Sequence, residues 1–336
     1  MTVLEVEHLN VAYRDRPHTP VVETVKDVSF RVDAGEALGI VGESGCGKSQ
    51  TMLAVLGMLG REGGEVTGRV GFDGQDLTRL SQKQLRAVRG AGIGLVSQDA
   101  LSALNPAMTI GRQMAEPLIR YDGYDRRTAA DRCAELLDLV GIPGPRERLR
   151  AHPHELSGGM RQRVLIAMAI SREPKVLIAD EPTTALDVTI QSQVLRLIDR
   201  LRRDLRMALV LITHDLGVVA GVTDRIAVMY AGRVVESAPT TSLFDAPGHP
   251  YTRALMSSIP RMDHRVDRLP AIPGFPPAPA SPPPGCAFRP RCAVARPACD
   301  DSVPLLVGHP SGDPAHFVRC PYPVHDSNGP TVGARS

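Results

Sequence analysis

Short, wholly apolar runs alternate with amphipathic stretches along the first 240 residues. Ala37–Val41, Ile93–Val96, Val176–Ala179 and Ala208–Thr213 are such runs, each too short for a typical helix. They predict strands buried on both faces, as in a parallel sheet covered by helices. Thr189–Leu205 places Ile190, Val194, Leu197, Ile198, Leu201 and Leu205 on one face at helical spacing, and a further helix is expected from Lys48 to about Leu59. This alternation predicts an α/β fold built on a parallel sheet. Between Gln98 and Ser157 the strand signals vanish, which predicts an inserted helical subdomain at about 99–165. Within it, Cys133 shares a helical face with Leu136, Leu137 and Val140 and reads as core. Arg225–Glu236, with Gly232 near its middle, reads as a hairpin, and Met1–Val6 as a strand.

The pattern breaks at Pro270–Pro284, where proline density excludes helix and sheet interior and predicts a stiff, extended linker. The chain thus divides into a domain at 1–258, a linker at 259–285 and a loop-rich tail at 286–336 that carries Cys286, Cys292, Cys299 and Cys320. Such a linker makes burial of the tail in the main core awkward. A length of 336 residues suits one large domain plus an appendage. The net charge of +2 lacks the basic excess of a nucleic-acid surface, so no nucleic-acid partner is expected. No apolar stretch approaches the roughly 20 residues that span a bilayer, and the N-terminus lacks signal-peptide features. A cytosolic protein is expected, with any membrane connection made through a partner. In that compartment the six cysteines are expected to form no disulfides.

Gly42–Ser49 has the pattern G-x-x-x-x-G-K-S after a strand and at the start of a helix. Glycines let backbone N–H groups turn inward around phosphates, and the helix N-terminus adds positive potential. Lys48 then reaches the β- and γ-phosphates, while the Ser49 hydroxyl ligates Mg²⁺. Cys46 lies in this loop just before the helix, a place expected to lower its thiol pKa. Asp180 and Glu181 end a strand on the side where open α/β sheets bind ligands. Asp180 is expected in the magnesium shell, and Glu181 to polarise the attacking water. His214, Gln98 and Tyr13 are further candidates, each suiting a structural role as well as a functional one on chemistry alone. Leu156–Met160 adds a second set of anion-facing amides at a helix start. The chain has no second nucleotide for them, so they are expected to face one held by another molecule.

In this order and spacing the motifs resemble the ATP-binding subunit of an ABC transporter, over nearly all of residues 1–258. The resemblance implies a P-loop ATPase core with an antiparallel N-terminal β region, and ATP with Mg²⁺ as ligands. It assigns Gly42, Glu43, Ser44, Gly45, Cys46, Gly47, Lys48, Ser49 and Gln50 to the phosphate loop and its helix, and Tyr13 to stacking on adenine. It makes Gln98 a contact to Mg²⁺ and water, Asp180 a magnesium-shell carboxylate, Glu181 the catalytic base and His214 the switch histidine. Ser157, Gly158 and Gly159 match the signature motif that closes over ATP held by the opposite subunit, and Asp187 matches the neighbouring D-loop aspartate.

Ser97–Pro106, Leu156–Arg163 and Gly248–Leu255 resemble the oligopeptide/dipeptide permease ATPases, as does Met160 where many relatives carry glutamine. This subfamily implies hydrolysis at the cytoplasmic face of the membrane. It also implies a second, non-identical ATPase subunit, two transmembrane permease subunits and an extracytoplasmic solute-binding protein. Import of nickel or another small solute is the alternative. Soluble ABC proteins usually carry two ATPase modules or a long coiled coil, and neither is present. Four soft thiols spaced Cys286-x5-Cys292-x6-Cys299-x20-Cys320 suit zinc or an iron–sulfur cluster, with Arg289, Arg291, Arg296 and Arg319 close by to offset their charge. The spacing is looser than the paired C-x2-C of zinc ribbons. A similar tail in some peptide-permease ATPases is associated with a [4Fe–4S] cluster, which is therefore expected ahead of zinc. Ala293 stands where that tail pattern carries proline, which leaves the ligand assignment open.

Overall fold

The computed structural model describes residues 1–14, 21–59, 64–184, 186–259 and 272–324. The chain opens with the long strands β1 (Thr2–Tyr13) and β2 (Val22–Asp33), then β3 (Ala37–Val41) and helix α1 (Lys48–Val55). Next come β4 (Gly64–Phe72), β5 (Gln75–Asp76), α2 (Gln82–Val88) and β6 (Ile93–Val96). The insert holds α3 (Ala100–Ala103), α4 (Ile110–Tyr121), α5 (Arg126–Leu139) and α6 (Pro145–Arg148). Alternation resumes with α7 (Gly158–Ile170), β7 (Val176–Asp180), α8 (Val188–Leu205), β8 (Ala208–Thr213) and α9 (Leu216–Ala220). The hairpin β9 (Arg225–Tyr230) and β10 (Arg233–Pro239) leads to α10 (Thr240–Asp245) and α11 (Pro250–Ser257). Two short strands, β11 (Val307–Gly308) and β12 (Phe317–Val318), lie in the tail.

One sheet is antiparallel in the order β2-β1-β4-β5; the other runs β11-β12-β10-β9-β3-β8-β7-β6, with β9, β3, β8, β7 and β6 parallel. Strand parity sorts side chains between two layers. Ala37, Val41, Leu177, Ala179, Leu209 and Leu211 pack with the helix residues Val164, Val194, Ile198 and Leu201. Leu38, Ile40, Val176, Ile178, Val210 and Ile212 pack on the other side with Val11, Val25, Val28, Met52 and Val55. The antiparallel sheet and α1 thus cover one face and helices the other, which is why these strands read as continuous apolar runs. The helix after the phosphate loop ends at Val55, short of Leu59, because Gly57 adopts a left-handed conformation (φ +62°) that stops it.

The inserted helices carry their own core residues, including Leu104, Met114, Leu118, Leu136, Leu137 and the fully buried Cys133. Buried Gln113 ties the segment before α4 together, accepting from the Asn105 N–H at 2.8 Å and donating to the Met108 carbonyl at 2.9 Å. The ion pair between Arg172 and Asp122 joins the insert to the end of α7, with N–O separations of 2.6–3.0 Å.

The tail does not stand off from the main core. Strand β12 pairs with the open edge of β10, and the Arg319 N–H and Nε extend the contact to the carbonyls of Val235 and Val234. A sheet edge exposes unmet backbone groups, and the tail satisfies them here. Phe288 inserts against Tyr230 and Tyr251, with ring centroids 5.3 Å from each. Burial of one such ring contributes about 1.5–3 kcal/mol. Beneath it, fully buried Glu236 accepts from the Gly248 and His249 N–H groups at 2.6 and 2.9 Å and pairs with buried His316 at 2.8 Å. Burial alone raises the Glu236 carboxyl pKa; His316 and the two N–H groups outweigh it and hold the carboxyl below its ordinary value. Part of the proline-rich linker, residues 260–271, lies outside the described residues.

Candidate functional site

Strands β3, β8, β7 and β6 are neighbours, so the residues at their C-terminal ends meet along one edge. The loop after β3 folds tightly. A Cβ on Gly42 would lie 2.2 Å from the Met229 carbonyl oxygen, and Gly47 holds φ +102° at the start of α1. Both positions therefore require glycine. The buried Lys48 ammonium donates to the carbonyls of Gly42 at 2.6 Å and Glu43 at 3.1 Å. The cation is thereby fixed inside the loop by two of its carbonyls.

At the end of β7 the Asp180 carboxyl lies near enough to the Ser49 side chain for it to lower the carboxyl pKa, while its buried Oδ1 has no hydrogen-bond partner. Burial raises its pKa, with Glu181 adding repulsion, against the lowering effects of Ser49 and Lys48. An orphaned carboxylate oxygen beside a serine hydroxyl is a donor set that fits Mg²⁺. Glu181 follows in a left-handed conformation (φ +44°), its N–H bonded to the Ile212 carbonyl at 2.9 Å. Such a backbone costs of order 1–3 kcal/mol in a non-glycine residue. The turn points the carboxylate at Gln98 Nε2 (3.0 Å), Thr184 Oγ1 (2.9 Å) and His214 Nδ1 (3.3 Å). A carboxylate only 12% exposed, oriented by three side chains, can act as a general base once a water is bound beside it.

Tyr13 at the end of β1 donates its hydroxyl to Gln50 on α1, and its ring lies against Gly64. The first strand thus brings an aromatic face beside the phosphate loop. Ser157–Gly159 and Asp187 form a second cluster. Ser157 caps α7 through the Met160 N–H (3.3 Å) and Asp187 caps α8 through the Ile190 N–H (3.0 Å). Gly159 lets Ile190 approach so closely that a Cβ there would meet it at 2.9 Å. The two helix starts are therefore locked side by side, with Ser157 and Gly158 exposed and the apolar Val188 81% exposed next to them.

One expectation needs correction. Cys46 is buried beside Lys48, and that burial raises its thiol pKa despite the helix start and the nearby ammonium. The four tail cysteines converge on one cavity of about 20 Å³, together with His249, Arg289 and Tyr322. Among the described residues, however, no group of three or more His, Cys, Asp or Glu side chains is arranged to hold a metal ion. The thiols are uncrosslinked; burial raises the pKa of Cys286 and Cys292 and pushes Cys320 up to about 11. Sequence reasoning missed Thr184 as a partner of Glu181, and Tyr251 and Arg291 as partners of Glu43.

Comparison with known proteins bears on this geometry. Residues 25–184 match the family model for the ABC transporter, and residues 235–299 that for the oligopeptide/dipeptide transporter, C-terminal region. The chain is 47% identical to the dipeptide transport ATP-binding protein DppD of Bacillus subtilis, covering 95% of this chain and 94% of that one. It is 44% identical to the DppD of Escherichia coli, over 99% of this chain and 100% of the other. Among solved structures, an ATP-binding cassette in a dimeric post-hydrolysis state with ADP and Pi superposes with a TM-score of 0.62 at 29% identity. That match covers 70% of this chain and 98% of the cassette. With the phosphate loop, the β7 carboxylates and the C-terminal region all matched along the chain, this protein belongs to the ATP-binding subunits of the oligopeptide/dipeptide ABC transporter family.

Proposed function

We propose that this chain is the ATP-hydrolysing subunit of a peptide importer. The observation that carries the ATPase reading is the strand-end constellation: Lys48 inside its loop, the orphaned Asp180 oxygen beside Ser49, and Glu181 oriented by Gln98, Thr184 and His214. Magnesium supplies charge neutralisation of the phosphates when bound, and Ser49 and Asp180 are the residues to hold it. Lys48 binds the β- and γ-phosphates, and Tyr13 lies where it can stack on adenine. Gln98 and His214 orient Glu181, which takes the proton of the attacking water. Exposed Ser157, Gly158, Asp187 and Val188 serve as the face that closes over the nucleotide of a second ATPase subunit, a non-identical sister. Its apolar Val188 would then be covered.

Among the described residues no helix is long and apolar enough to cross a membrane. The chain in this reading sits peripherally at the cytoplasmic face, on two permease subunits fed by an extracytoplasmic solute-binding protein. The names of the relatives support peptides as cargo. Co-expression with its permeases, followed by uptake of labelled dipeptide and of nickel into the same cells, tests this. Peptide uptake that disappears with the chain is the expected result, and nickel uptake alone would refute it.

The finer reading of the tail is an iron–sulfur cluster held by Cys286, Cys292, Cys299 and Cys320. Its support is the donor set: four thiols on one cavity with no carboxylate among them. A cavity of about 20 Å³ holds about one water, so the sulfurs have to spread for a four-iron cluster to enter. Anaerobically purified protein is expected to be brown, with visible charge-transfer absorption. A colourless, iron-free preparation would reject the cluster, and stoichiometric zinc would replace it.

A further inference from the structure

The phosphate loop contains a carboxylate, Glu43, at a place where a polyanionic ligand is to bind. An uncompensated carboxylate there repels the phosphates. Its partner comes from the tail, 248 positions away: Arg291 places one guanidinium nitrogen 2.6 Å from Glu43 Oε2 and the other 2.9 Å from Oε1. The Arg291 side chain is only 4% exposed, its Nε donates to the Pro273 carbonyl at 2.9 Å, and a guanidinium nitrogen reaches the Tyr230 hydroxyl at 3.3 Å. A guanidinium stays charged in proteins, so the cation is permanent. Glu43 is fixed at its backbone as well. Its N–H donates to the Tyr251 hydroxyl at 2.9 Å, and its carbonyl accepts from Lys48 at 3.1 Å.

We propose that Arg291 is a positioning residue of the nucleotide site: through a bidentate clamp it cancels the charge of Glu43 and fixes the phosphate loop, making the tail one wall of that site. The inference rests on the ATP-binding reading above. Tyr251, from α11, shares the task at the backbone, and Phe288 packs on both Tyr230 and Tyr251 to hold the clamp in place. Arg291 immediately precedes Cys292, whose thiol lines the cysteine cavity. The loop that cradles phosphate and the loop that carries the thiols are therefore mechanically one piece.

The test is equilibrium binding of Mg²⁺ with a fluorescent ATP analogue to the full chain, alongside thermal melting. Arg291→Gln is expected to weaken binding about tenfold or more, because it leaves Glu43 uncompensated. The double variant Glu43→Gln/Arg291→Gln is expected to return affinity to within about threefold of wild type, since the repelling charge is gone too. A purely structural role for Arg291 would not give that rescue. Wild-type affinity in Arg291→Gln, or a double variant as weak as the single, overturns the proposal. Should Arg291→Gln not fold, the double variant alone decides: binding within about threefold of wild type supports charge cancellation and a loss of about tenfold overturns it. Absence of binding by the wild-type chain itself would fault the ATP reading rather than this clamp.

Discussion

Glu181→Gln is expected to leave MgATP bound while lowering hydrolysis by about 10²–10⁴, the usual contribution of a placed general base. The amide keeps the volume of the side chain and one acceptor for Thr184, but it cannot take a proton from water. The loop should hold its shape, because the Glu181 N–H remains bonded to the Ile212 carbonyl whatever the side chain. Nucleotide binding depends on Lys48 and the loop amides, which the substitution does not touch. With binding kept and hydrolysis removed, the closed pair of ATPase subunits proposed above has no route to reopen, so ATP-dependent association should accumulate. Phosphate release and light scattering on the same samples measure both effects. Wild-type turnover in the variant would remove Glu181 from the role of base.

Asp180→Asn is expected to have the second large effect, with opposite signs on activity and stability. The substitution removes the anionic oxygen that fits Mg²⁺ beside Ser49, so magnesium-dependent hydrolysis should fall by at least about 10². Without nucleotide or metal, however, the ionised carboxylate is a burden. Burial is the first cause of its raised pKa, followed among the raising effects by repulsion from Glu181. A carboxyl whose folded pKa lies above its unfolded value contributes stability in the protonated form, and that contribution is lost as pH rises through the folded value. At neutral pH the apo protein therefore bears the cost, and Asp180→Asn should melt at a higher temperature than wild type. The gap should shrink as the pH is lowered into the carboxylate range, where the wild-type group is protonated. Equal apo melting temperatures at neutral pH, or full magnesium-dependent turnover, would contradict this reading.

Local periodicity made the scaffold legible. Ala37–Val41, Ile93–Val96 and Ala208–Thr213 are strands with the expected boundaries, because double-sided burial leaves an apolar run that no other environment explains. The hairpin also appears where Gly232 pointed, and α4 and α5 lie in the stretch without strand signals. Sequence motifs also marked the strand-end residues, since each lies within a few positions of a strand whose place in the sheet is fixed. What stayed hidden was long-range. Docking of the tail depends on the open edge of β10, on Phe288 entering the Tyr230–Tyr251 pair and on Glu236 meeting His316; linker composition carries none of these. The clamp on Glu43 joins residues 248 positions apart, and one of four arginines near cysteines reads as charge compensation for thiolates. The Cys46 expectation failed for a different reason. Position at a helix start was legible but burial was not, and desolvation outweighs the helix and the nearby ammonium.

An ATP-hydrolysing half-site is tested most directly by steady-state phosphate release from the complex of this chain with the proposed sister subunit and permeases. The measurement is made with magnesium, after chelation, and with Glu181→Gln in this chain alone. Turnover that needs magnesium and falls with Glu181→Gln, while bound nucleotide persists, is the expected result. Turnover indifferent to Glu181→Gln, or undiminished after magnesium is removed, would contradict it.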